Sequence, residues 1–286
     1  MELWICQQMI TLDKVKYADS DEFYTKPCLV HSCVKALIEG GYSFKGKTVF
    51  CPCDSDKSAF PNFLWNNQEK LGLKAVHCAC RLPDGSGCFW EGRGRKKMLD
   101  SYSFVSDETM ARYSDYDLVM TNPPFSYLYQ DLPRIVDSCK DFLFIAPEIL
   151  VVNLAFVLSP RTLYCDNCKA KEKFFVRPGG FERDIGVCKI STLRFANKFR
   201  GKPLKQCKGR IHKGVFVCKS RNDVPGDYNG LIATSFAAPQ VLDFDYFKMV
   251  GAAKPVMKSV VCRRQDYDRL VSEGILVPGK RLVVTL

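Results

Sequence analysis

Between residues 28 and 146 the apolar residues change period repeatedly, from helical spacing to short continuous runs and back. Val30, Cys33, Val34, Leu37 and Ile38 stand at helical spacing, and Gly40-Gly41 ends that helix. Lys47–Cys51 is a short β-type run broken by Pro52. Phe60, Phe63, Leu64 and Leu71 mark one side of a helix over 58–71, and Gly72 leads into a strand over Leu73–Cys80. Residues 81–100, rich in Gly, Arg and Lys, read as a loop. Tyr102–Val105 and Tyr116–Thr121 read as the third and fourth strands. Leu128, Leu132, Ile135, Val136 and Cys139 define an amphipathic helix, and Phe142–Ala146 a buried strand. Strands alternating with helices of this length predict an α/β fold, a parallel sheet with helices on both faces.

From Arg161 the texture changes. Short β-prone pieces (Lys173–Val176, Val187–Arg194, Gly214–Lys219) alternate with turns rich in Gly, Pro and Lys, which predicts an appended β-rich module rather than more of the same sheet. The charge changes with it. Residues 1–150 hold 17 Lys/Arg against 20 Asp/Glu, whereas 151–286 hold 25 against 11. Residues 161–221 alone carry 17 basic and 4 acidic residues. Two domains are therefore expected, a near-neutral one over 1–150 and a basic one over 151–286 that meets a polyanion. The apolar runs are too short to span a membrane, and no window resembles a signal peptide. Fifteen cysteines, an odd number, in a chain of this length read as reduced thiols of a cytoplasmic protein rather than a disulfide framework.

The chemistry concentrates in Asp117-Leu118-Val119-Met120-Thr121-Asn122-Pro123-Pro124-Phe125. A hydrophobic strand runs into Asn-Pro-Pro-Phe, and two prolines without amide hydrogens leave the carbonyls of that turn available. In an open α/β sheet such a turn sits at the carboxyl edge of a strand, where ligands bind. An aromatic amine is a poor nucleophile because its lone pair is delocalised into the ring. The side-chain oxygen of Asn122 and the carbonyl of Pro123, aimed at its two N–H bonds, would localise that pair, with Phe125 stacking on the base. The plain alternative is a capped turn with a buried Phe.

Asp21-Glu22-Phe23-Tyr24-Thr25, then Val49-Phe50-Cys51-Pro52-Cys53-Asp54, then Thr121-Asn122-Pro123-Pro124-Phe125-Ser126 resembles the EcoRI-type adenine-specific DNA methyltransferases, over roughly residues 13–150. The resemblance implies a Rossmann-like class I methyltransferase fold, a three-layer sandwich, with a C-terminal β-rich basic region for target recognition. It implies S-adenosylmethionine as cofactor and N6 of adenine, flipped out of double-stranded DNA, as the methyl acceptor. Phe23, Tyr24, Thr25, Cys51, Cys53, Asp54 and Asn122 would contact the cofactor, and Asn122, Pro123, Pro124 and Phe125 would form the catalytic turn. A modification enzyme of a bacterial or phage-infected cell is the corresponding setting. Two departures stand out. Cys51-Pro52-Cys53-Asp54 replaces the Gly-x-Gly of the general cofactor motif, and Cys78-Ala79-Cys80-Arg81 lacks the acid that grips the ribose, for which Asp84 is a stand-in. The same turn also serves methyltransferases acting on RNA or on protein glutamine, and a catalytically inactive nucleic-acid-binding module is a rival of another class.

Cys165-Asp166-Asn167-Cys168 has the spacing of a zinc knuckle, with Cys188, Cys207, His212 and Cys218 as possible further ligands of a structural zinc; buried free thiols are the ordinary reading. His77 with Cys78, Cys80 and Cys88 is a weaker set. Lys202, Lys205 and Lys208 are expected to meet phosphates; the Gly92–Lys97 run is either an alternative phosphate contact or a solvated basic loop.

Overall fold

The computed structural model describes residues 24–152, 156, 159, 161–168, 175–176, 182–183, 187–196, 198–235, 238–254, 258–278 and 282–285. Strand β1 (Tyr24–Thr25) precedes helix α1 (Pro27–Glu39), which buries Leu29, Val30, Cys33, Val34 and Leu37. Pro27 opens the helix where no amide hydrogen is needed. Then follow β2 (Thr48–Cys51), α2 (Ala59–Asn66), α3 (Gln68–Leu71) and β3 (Ala75–Arg81). The helix expected over 58–71 is broken at Asn67, whose side-chain amide donates to the Phe63 carbonyl at 2.8 Å and competes with the backbone ladder.

The expected loop 81–100 is instead an antiparallel hairpin, β4 (Gly87–Trp90) and β5 (Lys96–Leu99), laid along the edge of β3. Cys88, Phe89 and Trp90 are buried there, a short apolar core that the flanking Gly and Arg residues mask in the sequence. Tyr102–Val105 is not a strand. Its residues turn ahead of helix α4 (Asp107–Tyr113), and the Ser106 hydroxyl caps that helix by accepting from the Thr109 amide at 3.3 Å. β6 (Leu118–Thr121), α5 (Phe125–Ser138) and β7 (Phe142–Pro147) complete the alternating half.

Two further strands, β8 (Tyr164–Asn167) and β11 (Val187–Ser191), join the same sheet, so the change of texture at Arg161 does not coincide with a change of sheet. β9 (Phe175–Val176) and β10 (Glu182–Arg183) pair with β1 in a small separate sheet. The main sheet has the order β5-β4-β3-β2-β6-β7-β11-β8. Its middle, β3-β2-β6-β7, is parallel, while β4, β5 and β11 enter antiparallel to their neighbours. The sheet is thus mixed rather than parallel throughout.

A second sheet combines β12 (Gly209–His212), β13 (Val215–Cys218), β14 (Leu231–Ser235), β15 (Phe247–Lys254), β16 (Lys258–Arg263) and β17 (Leu282–Thr285), in the order β12-β13-β14-β16-β15-β17. Alternate residues serve its two faces. Phe216, Ile232 and Val261 pack into the core of the main sheet, whereas Val215, Leu231, Ala233 and Val260 cluster with Leu270 of the short helix Tyr267–Ser272. Both sheets therefore share one continuous core.

The seam between them holds a charged group. Asp166 of β8 accepts from Lys189 and Lys198, each at 2.9 Å, and both lysines are almost fully buried. Lys198 also donates to the Cys165 and Gln240 carbonyls, and Lys189 to Ser32 of α1 at 3.3 Å. Burial alone would raise the Asp166 carboxyl, but the two ammonium charges outweigh it and hold the group below the usual range.

Candidate active site

The chain leaves β2 for β3 on one side of the sheet and then crosses back to β6 on the other. The order of strands reverses between β2 and β6, which makes their carboxyl ends the topological switch point, where open α/β sheets form a ligand crevice. The turn Cys51–Asp56 leaves the carboxyl end of β2, and Asn122-Pro123-Pro124 leaves that of β6. Pairing of Val49 with Leu118 and Phe50 with Val119 puts the two turns side by side.

One hydrogen bond ties them together. The Thr121 hydroxyl, at the last position of β6, donates to the Asp54 carboxylate at 2.6 Å, and both residues are buried. The Asp54 amide donates to the Ala79 carbonyl of β3 at 2.9 Å, so three strand ends converge on this residue. Burial pushes the Asp54 carboxyl up to about 7, against the lowering effect of hydrogen bonds from Thr121 and Ser58. Tyr102 anchors the turn from the far side by donating to the Pro52 carbonyl at 2.7 Å. Cys51 is buried at the strand end and Cys53 half-buried beside it. Burial and the neighbouring Asp54 push both thiols well above their ordinary value, which makes them poor nucleophiles.

Asn122 is half-buried, Pro123 buried, and Pro124 forms the cap of α5. Phe125 is the first residue of that helix and is 8% exposed. So little of it is exposed that it walls the turn more than it offers a free stacking face. Thr121, Ser58 and Tyr102 were not among the residues expected from the sequence. A threonine closing a strand directly before Asn-Pro and a serine at a helix N-cap position were the available signals.

Tyr24 and Thr25 pair with Val176 and Phe175, and β1 packs against α2, the helix that follows the Cys51–Asp56 turn. Phe23 lies outside the described residues, as do Asp21 and Glu22. Asp84, the stand-in for the ribose acid, is exposed in the hairpin turn and accepts from the Ser86 hydroxyl at 2.6 Å. A cavity of about 290 Å³ lies between the hairpin and α4; Phe50, Phe89, Tyr102, Ser103 and Arg112 are among its lining residues. Tyr102 is thus shared between this cavity and the Cys51–Asp56 turn.

The other clusters separate in space. The free thiols of Cys165 and Cys188 are hydrogen-bonded to each other and lie with Cys168 and Cys33, whereas Cys207 neighbours Cys218. Among the described residues no group of three or more His, Cys, Asp or Glu side chains is placed to hold a metal ion, so the candidate zinc set is not assembled there. His77 bonds the Tyr116 hydroxyl at 2.9 Å and serves the packing. Asp117 accepts from the Thr48 amide at 2.9 Å and hydroxyl at 3.0 Å, pinning β6 to β2 at the end of the sheet away from the turns. Lys202 is tied to the buried Asp223 at 2.9 Å and is not free for a phosphate, while Lys205 and Lys208 are exposed. In the Gly92–Lys97 run, Arg93 donates to Asn66 at 2.7 Å and Lys96 and Lys97 point outward. Among the described residues no helix is long and apolar enough to cross a membrane.

Residues 11–85 match the family model described as adenine-specific methyltransferase EcoRI, a span that takes in Tyr24, Thr25 and the Cys51–Asp54 turn but stops short of Asn122. Type II methyltransferase M.EcoRI of Escherichia coli is 30% identical over 158 residues, 47% of this chain and 48% of the relative. Type II methyltransferase M.MpnI of Mycoplasma pneumoniae is 30% identical over 136 residues, 46% of this chain and 42% of the relative. The chain thus spans about half the length of these two. M.MgeORF184P of Mycoplasma genitalium, also named a type II methyltransferase, is 28% identical over 308 residues, covering 95% of this chain and 96% of the relative. No solved structure matches. The chain is thus similar to the EcoRI-type adenine-specific methyltransferases over residues 11–85, and to type II methyltransferases over about half of its length or, at lower identity, nearly all of it.

Proposed function

We propose that this protein methylates the exocyclic amino group of adenine in DNA, with S-adenosylmethionine as donor. The observation that carries this reading is the junction of Asp54 and Thr121, which holds the Cys51–Asp54 turn against Asn122-Pro123-Pro124 at the switch point. A cofactor site and an amine site on adjacent turns are what direct transfer between two bound molecules requires.

The fold supports a class I methyltransferase of three layers. Right-handed crossovers running in opposite directions from β2 put α2 on one face of the sheet and α4 and α5 on the other. In this reading the main sheet is the catalytic unit and the second sheet, from Gly209 onward, the target-recognition region, so the functional boundary falls later than residue 150.

The residues fit a cationic cofactor. S-adenosylmethionine supplies a sulfonium methyl, and a buried carboxylate beside its site favours binding of positive charge. Asp54 holds that place, with Cys51 and Cys53 as its apolar neighbours and Tyr24, Thr25 and Phe23 as the N-terminal side of the pocket. Asn122 and the Pro123 carbonyl take the two amino hydrogens of adenine, and Phe125 and Pro124 line the base. With the cofactor bound, this arrangement would hold the amino nitrogen toward the sulfonium methyl, the C–S bond being exchanged for an N–C bond and the surplus amine proton being lost to solvent. No cysteine takes part. Radiolabelled cofactor offered with duplex DNA, RNA or protein tests the assignment: label is expected in DNA, and label confined to RNA or protein would replace it.

Asp54 also predicts a pH dependence. The folded protein retains a proton on this carboxyl between about pH 4 and pH 7 that the unfolded chain has lost, so its contribution to stability falls as pH rises through that window. A cationic cofactor favours the ionised form. Affinity should therefore rise as pH increases toward about 7 and level off above it, with proton release on binding. Calorimetry between pH 5.5 and 8.5 measures both. A flat profile, or the same profile in Asp54→Asn, would remove Asp54 from the cofactor site.

A further inference from the structure

The basic stretch from Arg161 to Arg221 divides in two. Up to residue 202 the described basic side chains with ion pairs are Arg161 with Asp141, Lys189 and Lys198 with Asp166, Arg194 and Arg200 with Asp243, and Lys202 with Asp223. These charges are spent on the fold. Residues 204–221 contain six Lys/Arg and no Asp or Glu. Lys205, Lys208, Arg210, Lys213 and Lys219 are all exposed, and among the described residues none of these side chains is in an ion pair; the Lys208 backbone amide donates to Asp223 at 3.2 Å.

Arg210 and Lys213 lie on the β12–β13 hairpin at the edge of the second sheet, Lys208 and Lys219 flank its base, joined there by the Lys219 amide donating to the Lys208 carbonyl at 2.9 Å, and Lys205 precedes it in the short turn Leu204–Gln206. Its strands pair Gly209 with Cys218 and His212 with Val215, leaving a two-residue turn, Lys213-Gly214, with φ of 47° and 76°. Both positive angles are those of the tight hairpin turn that follows the twist of the strands. The base of the ribbon is firm. Phe216 is buried and faces Gly209 so closely that a Cβ there would come within 2.6 Å of its ring. The tip is open, and close to the turn Ile211 is 59% exposed, an apolar residue with Arg210 before it and Lys213 two residues after it in the chain.

We infer that this hairpin enters a groove of duplex DNA, its cations on the phosphates at either side and Ile211 against the bases. The inference rests on DNA being the substrate. A two-stranded ribbon is of a width that the major groove, roughly 12 Å across, admits. Uncompensated cations without a carboxylate among them fit a polyanion. An exposed aliphatic side chain at the tip fits contact with a thymine methyl or a base step.

The test is duplex binding, followed by anisotropy of a labelled oligonucleotide between 50 and 200 mM salt, for the wild type and two variants. Arg210→Ala with Lys213→Asn removes two charges, and asparagine tolerates the positive φ at 213. This variant should bind roughly 10-fold or more weakly and show a log–log salt slope shallower by about 1.8. Ile211→Ser should weaken binding about 3- to 10-fold with the slope unchanged, since it removes no charge. Both should keep wild-type cofactor affinity and thermal midpoint. If both variants bind and methylate duplex DNA as the wild type does, the hairpin is not the contact, although DNA remains the substrate. If the wild type itself neither binds nor methylates duplex DNA, the function proposed above fails and the groove contact fails with it.

Discussion

Asn122→Ala should lower methyl transfer roughly 10²–10³-fold while S-adenosylmethionine binds as before. In the proposed function Asn122 and the Pro123 carbonyl act where the amine's lone pair becomes available, which happens only on the way to the transition state. Removing one acceptor therefore costs rate more than ground-state binding. Asn122→Asp keeps an acceptor of similar shape and should retain more activity than the alanine variant. The measurement is single-turnover transfer from labelled cofactor to duplex DNA, with calorimetry for cofactor affinity. Turnover of Asn122→Ala within a few-fold of wild type would take the residue out of the chemistry. Equal losses of turnover and cofactor affinity would make it a packing residue.

Asp166→Asn should destabilise the protein by about 3–5 kcal/mol, the cost of leaving buried charge uncompensated. The wild-type carboxylate faces two ammonium groups, on Lys189 and Lys198, whose side chains are 4% and 3% exposed. An amide offers them a neutral oxygen. Because Asp166 titrates below its ordinary value, its stabilisation is full above the unfolded-state range, near pH 4, and is lost as pH falls through its lower folded value. Urea unfolding at pH 7 and at pH 3 reads both effects. The two proteins should differ widely at pH 7 and converge in acid. A difference under about 1 kcal/mol at pH 7 would show that water screens the pair despite its burial.

The alternating half of the fold is legible because its elements announce themselves locally. In α1, Val30, Cys33, Val34 and Leu37 all lie at helical spacing and all are buried, and β6 and β7 are uninterrupted apolar runs. The β4–β5 hairpin is not legible. Its apolar content is three residues, Cys88 to Trp90, among glycines and cations that read as loop, and its strands are held by pairing with β3 rather than by their own pattern. The membership of β8 and β11 in the main sheet is likewise a tertiary fact. Ile190 and Cys165 look no different in sequence from residues of a separate module, yet they pair beside β7.

At the candidate site the sequence marks the two turns by their odd composition, Cys-Pro-Cys-Asp and Asn-Pro-Pro-Phe. The bond that joins them spans 67 residues from Asp54 to Thr121, and no local pattern reveals it. Charge behaves in the same way. A count over 161–221 treats every lysine alike, but Lys189, Lys198 and Lys202 are committed to Asp166 and Asp223, whereas the side chains of Lys205, Lys208, Arg210, Lys213 and Lys219, on and around the β12–β13 hairpin, are exposed without an ion pair among the described residues.

The identity of the acceptor atom separates N6 transfer from every rival reaction. Duplex DNA incubated with the protein and S-adenosylmethionine, digested to nucleosides and separated by mass spectrometry, reads that atom directly. N6-methyladenine should appear with wild-type protein and nearly vanish with Asn122→Ala. Methylcytosine in place of N6-methyladenine, or unmodified nucleosides from a protein that binds both DNA and cofactor, would contradict the account.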